Sequence, residues 1–257
     1  MESFVISLKS ATKRREHIEN EFSKHNLKFS FFDAITPKNA LLLADNFGLT
    51  VNSQNLTSGE LACLISHISI WKKIVEEKIA HTAIFEDDIY LGEEAQFLLN
   101  NDGWIEPEWN IIKIEFFYKR VGLSSKFKKI KYSQSKIFEL IGPNLGAAGY
   151  ILSYEGAKAS LELLNGSLDS PIDHIIFDKA IETKKVKVHQ IEPALCIQEM
   201  MWKSCADQIV LTSSLCKERS LRMKKNKKRG LIKIYHEILR LIKQVRYGFL
   251  SRKVTFK

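Results

Sequence analysis

The chain has 257 residues, 45% of them hydrophobic and 27% charged, which supplies a substantial core and excludes a disordered chain; 12 glycines and 5 prolines exclude a collagen-like or low-complexity one. The formal net charge of +9 is uneven: residues 217–257 carry 15 Lys and Arg against Glu218 and Glu237, a balance of +13, which leaves −4 for residues 1–216. An acidic body of residues 1–216 and a basic extension of residues 217–257 point the extension toward a polyanionic surface.

Residues 4–8 read as a first strand, Ile18 and Phe22 give residues 13–24 helical spacing, and residues 29–32 resume extended character, a β-α-β opening. The pattern is ambiguous over 36–54, where Leu41-Leu42-Leu43 is a possible start of a short helix. Thr57-Ser58-Gly59-Glu60 has the spacing of a capping box, after which Leu61, Leu64, Ile65, Ile68, Trp71, Ile74 and Val75 form one apolar helical face ending near Lys78. Residues 81–85 follow as a short buried strand. Further strands are expected at 111–116, 136–141, 148–153 and 185–191, and helices at 155–164 and 172–181. This alternation predicts an α/β fold, a mainly parallel sheet flanked by helices on both faces. Residues 118–132, rich in Lys and Ser, read as a mobile loop and a substrate lid.

Residues 224–229 are nearly all basic, and 231–250 set Leu231, Ile234, Tyr235, Ile238, Leu241, Ile242 and Val245 on one helical face among Lys and Arg. That is the pattern of a basic amphipathic tail lying on an anionic membrane surface; packing on its own domain or a second subunit is the competing reading. No window approaches the roughly 18 continuous apolar residues of a membrane span, and the first residues lack a secretory pattern, so a cytoplasmic location is expected. Cys63, Cys196, Cys205 and Cys216 show neither C-x-x-C pairing nor zinc spacing and are expected to be reduced thiols.

The chemistry concentrates at Glu86-Asp87-Asp88, where an apolar strand runs out. Strand alternation puts Glu86 and Asp88 on one side and Asp87 on the other, so two carboxylates face one pocket at a strand end, where open α/β sheets place ligands. A hard divalent cation takes such oxygen ligands and can in turn hold a diphosphate; a solvated acidic turn is the plain alternative. Metal-dependent hydrolysis or phosphoryl transfer would use the same cluster, but no P-loop and no G-x-S-x-G pattern is present. A nucleic-acid-binding role for the basic tail finds no helix-turn-helix or aromatic RNA-binding motif, so no nucleic acid is expected as partner.

Several segments, in order, resemble glycosyltransferase family 25, the lipooligosaccharide galactosyltransferases: Phe4-Val5-Ile6-Ser7-Leu8 with Arg14-Arg15, Phe31-Phe32-Asp33-Ala34, Gly59-Glu60 with Ser66-His67 and Trp71, and Phe85-Glu86-Asp87-Asp88. Gly146-Ala147-Ala148-Gly149-Tyr150, Pro171-Ile172-Asp173 and Pro193-Ala194-Leu195-Cys196 with Gln198-Glu199 complete the match. The resemblance implies a GT-A-like nucleotide-sugar-binding fold, UDP-galactose as donor, inversion at the anomeric carbon and a lipid-linked saccharide of lipooligosaccharide or lipopolysaccharide as acceptor. An enzyme of this kind would work peripherally on the inner face of the cytoplasmic membrane, held there by the basic tail.

With that resemblance, Glu86 and Asp88 are the expected ligands of Mn²⁺ or Mg²⁺, and Gln198 a completing residue or a structural amide. Asp173 matches a family carboxylate and is the leading candidate for the base, with a helix N-cap as its alternative role; Glu115, at the end of the strand 111–116, is the competing base. Donor binding is expected of Ser7 and Leu8 through backbone groups, of Arg14 or Arg15 toward phosphate with the other on the surface, and of Asp33, Glu60, His67, Asp87, Gly149 and Gln198. Gly146 and Gly149 would let a sugar approach the backbone, and Tyr150 is either a sugar platform or core.

Overall fold

The structure, a computed structural model, describes residues 1–202 and 250–257. The basic run 224–229, residues 231–249 of the expected interfacial helix, and Cys205 and Cys216 lie outside those residues. The chain opens with β1 (Glu2–Ser7), α1 (Thr12–Lys24) and β2 (Ser30–Asp33). The ambiguous stretch contains α2 (Pro37–Asn46), started by an extended Thr36 and by Pro37 in the first turn, where a missing N–H costs nothing. After β3 (Thr50–Val51) comes α3 (Ser58–Glu76), opened by the expected capping box: Thr57 Oγ1 accepts from the Glu60 N–H at 3.1 Å, and the Glu60 carboxylate accepts from the Thr57 N–H at 3.0 Å.

Then follow β4 (His81–Glu86), β5 (Ile89–Leu91), α4 (Ala95–Asn100), β6 (Ile111–Lys113), β7 (Glu115–Phe116), β8 (Arg120–Lys129), β9 (Lys136–Leu140), β10 (Gly149–Ser153) and α5 (Tyr154–Leu163). The remainder comprises β11 (Ser167–Leu168), α6 (Ile172–His174), a π-helical turn (Ile175–Lys179), α7 (Ala180–Thr183), β12 (Val188–Glu192), β13 (Cys196–Gln198), α8 (Glu199–Trp202) and β14 (Ser251–Lys253).

The main sheet has nine strands in the order β14-β8-β9-β12-β6-β10-β4-β1-β2. Six of them, β1, β2, β4, β6, β8 and β12, share a direction, while β9, β10 and β14 run against it. The sheet is therefore mixed α/β and largely parallel, with antiparallel β10 wedged between β4 and β6. Alternation along the strands feeds two cores. Ile84, Tyr150 and Leu152 pack with Leu64, Ile68 and Trp71 of α3, whereas Val5, Phe85 and Ile112 pack with Ile18 and Phe22 of α1 and Leu98 of α4. A small sheet, β5-β13-β7, sits at the carboxyl edge because β5 and β7 directly follow β4 and β6.

Three expectations need correction. The expected lid at 118–132 is mostly strand β8: of its apolar side chains only Val121, Leu123 and Ile130 are buried, and an irregularity between Leu123 and Phe127 breaks the alternation that would have betrayed it. The single strand expected at 111–116 divides at Ile114 between two sheets, and the helix expected at 172–181 is broken by the π-helical turn. The end of the basic extension also joins the body, since Ser251–Lys253 pairs with Arg120–Gly122 of β8. Among the described residues no helix is long and apolar enough to cross a membrane.

Candidate active site

β1, β2 and β4 run parallel, so Ser7, Asp33 and Glu86 arrive at one edge, with Ser7 in register with Asp33 and Ile6 with Glu86. Beyond β4 the chain places Asp87 and Asp88, both buried. Gln198, at the end of β13, donates its amide to Glu86 Oε2 at 3.1 Å and to Asp88 Oδ1 at 3.2 Å, which unites the two carboxylates that alternation put on one side. Asp87 turns away toward α1: it accepts from Ser7 Oγ at 2.6 Å and from Arg14, whose second nitrogen reaches Asp88 at 3.4 Å. Burial, with Glu86 next, pushes the Asp88 carboxyl up to about 7 against the pull of Arg14. Burial alone would lower the Arg14 pKa, but Asp87 and Asp88 raise it above the ordinary arginine value, so this cation stays charged.

The other donor candidates fall into place unevenly. Arg15 is not a loose surface residue: it donates to Asp33 at 2.6 Å and to the carbonyls of Ser7 and Leu8, and lies 4.5 Å over the Phe31 ring. The Ser7 carbonyl also accepts from the Ala34 N–H, so this acceptor is already engaged within the fold. Asp33 is held below the usual carboxylate range by Arg15 first and Lys9 also. Glu60 lies at the site end of α3, where its carboxylate serves the capping box. Gly149 does not open space for a sugar, because Cys196 Sγ already occupies the place of its missing side chain. Tyr150 is fully enclosed core, not a platform.

α3 runs back along β4, so Cys63 and His67, one turn apart, face Glu86 Oε1 at 3.9 and 4.0 Å. These three offer donor atoms within 4.8 Å of one another. Trp71 Nε1–H donates to the Tyr150 hydroxyl at 2.9 Å, and that hydroxyl lies 2.8 Å from His67 Nδ1, a bond whose direction depends on the His67 tautomer. His67 Nε2 is buried 4.0 Å from Glu86 Oε1, with no hydrogen-bond partner among the described residues.

The second carboxylate, Asp173, is buried in the first turn of α6. Its role is not the N-cap, which Pro171 fills; Oδ1 accepts from the His174 N–H at 3.0 Å and Oδ2 lies 3.5 Å from the Gly146 N–H. Glu115 is corrected from competing base to internal residue. It is completely enclosed, paired with an equally enclosed Lys113 at 2.9 Å, and accepts from the Ala148 N–H at 3.1 Å. Burial pushes its carboxyl up to about 7 despite Lys113. Gly146, at φ +89°, leans on this carboxylate so closely that a Cβ would sit 2.8 Å from either oxygen. The sequence reading missed Lys113, whose signal is a charged pair two residues apart inside an otherwise apolar strand.

Fold and site together define an α/β protein that gathers its acidic cluster at the carboxyl edge of a largely parallel sheet. The chain belongs to glycosyltransferase family 25, described as LPS biosynthesis proteins, whose pattern matches residues 1–176. It is 34% identical to the lipooligosaccharide biosynthesis protein lex-1 of Haemophilus influenzae, over 96% of this chain and 93% of that one. It is also 38% identical to lic2B of Haemophilus influenzae, over 89% and 87%, and 30% identical to the lacto-N-neotetraose biosynthesis glycosyltransferase LgtE of Neisseria meningitidis, over the full length of both. The protein is a glycosyltransferase of lipooligosaccharide or lipopolysaccharide biosynthesis, which implies a nucleotide-sugar donor and an oligosaccharide acceptor.

Proposed function

We propose that the enzyme transfers galactose from UDP-galactose, with inversion, to a saccharide of a lipid-linked acceptor on a GT-A-like fold, assisted by Mn²⁺ or Mg²⁺. The observation that carries this reading is the pair Glu86 and Asp88 sharing the Gln198 amide at the end of β4. The donor set fits a hard cation: two crowded carboxylates, one of which holds its proton up to about 7, are relieved when a divalent charge replaces that proton. Glu86 and Asp88 would hold the ion, which when bound supplies positive charge against the diphosphate leaving group.

The chain's own residues do the rest. Asp173 accepts the proton of the acceptor hydroxyl as that oxygen attacks, which it can do as a carboxylate beside the backbone of Gly146. Arg14 keeps Asp87 and Asp88 oriented and adds a fixed positive charge beside the diphosphate. His67 backs Glu86 from α3, its Nε2 4.0 Å from Glu86 Oε1. The basic extension is read as the membrane-surface anchor that brings the enzyme to its acceptor.

The test is UDP release from a panel of UDP-sugars with Mn²⁺, with and without a glucose- or lactose-terminated acceptor, for wild type, Asp88→Ala and Asp173→Asn. Acceptor-stimulated turnover should be greatest with UDP-galactose, should need the metal, and should fall about 10²–10⁴-fold in Asp173→Asn while UDP-galactose binding persists. Retained turnover in that variant sinks the base assignment, and preference for another sugar sinks the donor. Replacing Lys224, Lys225, Lys227, Lys228 and Arg229 by Gln should weaken binding to anionic liposomes and spare transfer to a soluble acceptor; unchanged liposome binding removes the anchor.

A further inference from the structure

The Lys113–Glu115 pair has no place in the chemistry just described, yet it is the most enclosed charge in the described protein, with no exposure of either side chain. Burying two charges costs several kcal/mol per ion, and their attraction seldom returns more than apolar residues of the same volume would. A pair kept under those terms needs a reason other than stability. Its contacts supply one. Lys113 Nζ donates to the Gly146 carbonyl and lies 4.2 Å over the ring of Phe177, in the π-helical turn that follows Asp173 and α6. Glu115 Oε2 takes the Ala148 N–H, and the Ala148 carbonyl in turn takes the Glu86 N–H at 3.0 Å. The Gly146 N–H, on the loop between those two residues, faces Asp173. One buried pair thus touches, through residues 146–148, both the carboxylate assigned to the acceptor and the carboxylate assigned to the metal.

We propose that Lys113 and Glu115 are positioning residues that set the separation between Asp173 and Glu86 by clamping residues 146–148. The proposal rests on the functional reading of Asp173 and Glu86 for its catalytic consequence, while the clamp itself does not depend on the donor. It also accounts for Gly146: a side chain there would strike Glu115 and Phe117, so the loop can approach the pair only as glycine.

The test compares two double variants of similar volume that remove the buried charge together, Lys113→Met with Glu115→Leu and Lys113→Met with Glu115→Gln. Both should fold, with thermal midpoints within a few degrees of wild type. The Leu version loses the acceptor for Ala148 and should show faster amide exchange at residues 84–88 and 144–149, and a kcat at least tenfold lower with donor binding within about threefold. The Gln version keeps an acceptor for the Ala148 N–H and should recover part of both. Wild-type exchange in a folded Leu version overturns the clamp, and equal loss in the two versions reduces the pair to packing. If either double variant does not fold, Lys113→Met alone carries the exchange comparison, because it removes the donor to the Gly146 carbonyl while Glu115 can take up a proton: unchanged protection at 144–149 overturns the proposal. A wild type inactive with UDP-galactose but active with another donor would refute the donor assignment and leave the exchange result to judge the clamp.

Discussion

Two charged clusters sit at the ends of β4 and β6, strands separated in the sheet only by β10, and behave in opposite ways. Among the described residues Arg14 reaches Asp87 and Asp88, which with Glu86 crowd the end of β4. Lys113 and Glu115 balance each other and are sealed by the 146–148 loop and Phe177. The difference teaches that burial alone does not mark a ligand site. What distinguishes the first cluster is like charge crowded at a strand end, which raises the Asp88 carboxyl and gains from an incoming cation.

The largest effect should separate the clusters by function. Asp88→Ala is expected to reduce kcat/KM for metal-assisted transfer about 10²–10³-fold without lowering the thermal midpoint, since it removes a crowded carboxylate. A thermal loss of many degrees would place Asp88 with the structural pair instead. The mirror experiment is Glu115→Ala, which strands the Lys113 ammonium in the interior and should cost about 3–5 kcal/mol of stability by denaturant titration. An unchanged midpoint there would mean that water reaches Lys113 and that the pair is not sealed.

A pH series sharpens the same contrast. With a native pKa of about 7 against an ordinary 3.8, Asp88 binds a proton in the native state that the unfolded chain has lost, so metal-free stability falls as pH rises from about 4 to 7. Asp88→Asn should flatten that slope, and an unaltered slope would assign the whole dependence to Glu115, which is shifted in the same direction. The smallest effect is a control: Thr57→Ala removes the cap of α3 and should cost about 1 kcal/mol, detectable by thermal denaturation, with donor binding nearly intact. A large loss of donor binding would mean that the start of α3 also positions the donor site.

Much of the site was legible in the chain because its parts are local. The capping box needs only Thr57 and Glu60 three residues apart; the splitting of Glu86 and Asp88 from Asp87 was expected from strand alternation, although β4 ends at Glu86 and the turn after it places Asp87 and Asp88. The strand at 81–86 and the helix before it were readable for the same reason, since a buried apolar run and an amphipathic helix write their periods into the sequence. β8 was not readable, because a strand near the sheet edge with a register irregularity has few apolar residues to alternate.

The sequence by itself determined the α/β alternation, the acidic cluster, the family and the split between an acidic body and a basic extension. Tertiary structure alone decided that Gln198 closes on Glu86 and Asp88, that Arg14 is shared between Asp87 and Asp88, and that Glu115 is internal. These depend on pairings between residues about 70 to 110 positions apart and on which strand shields which side chain. Local periodicity carries no record of either, because a carboxylate at a strand end reads the same in sequence whether a lysine or a ligand awaits it.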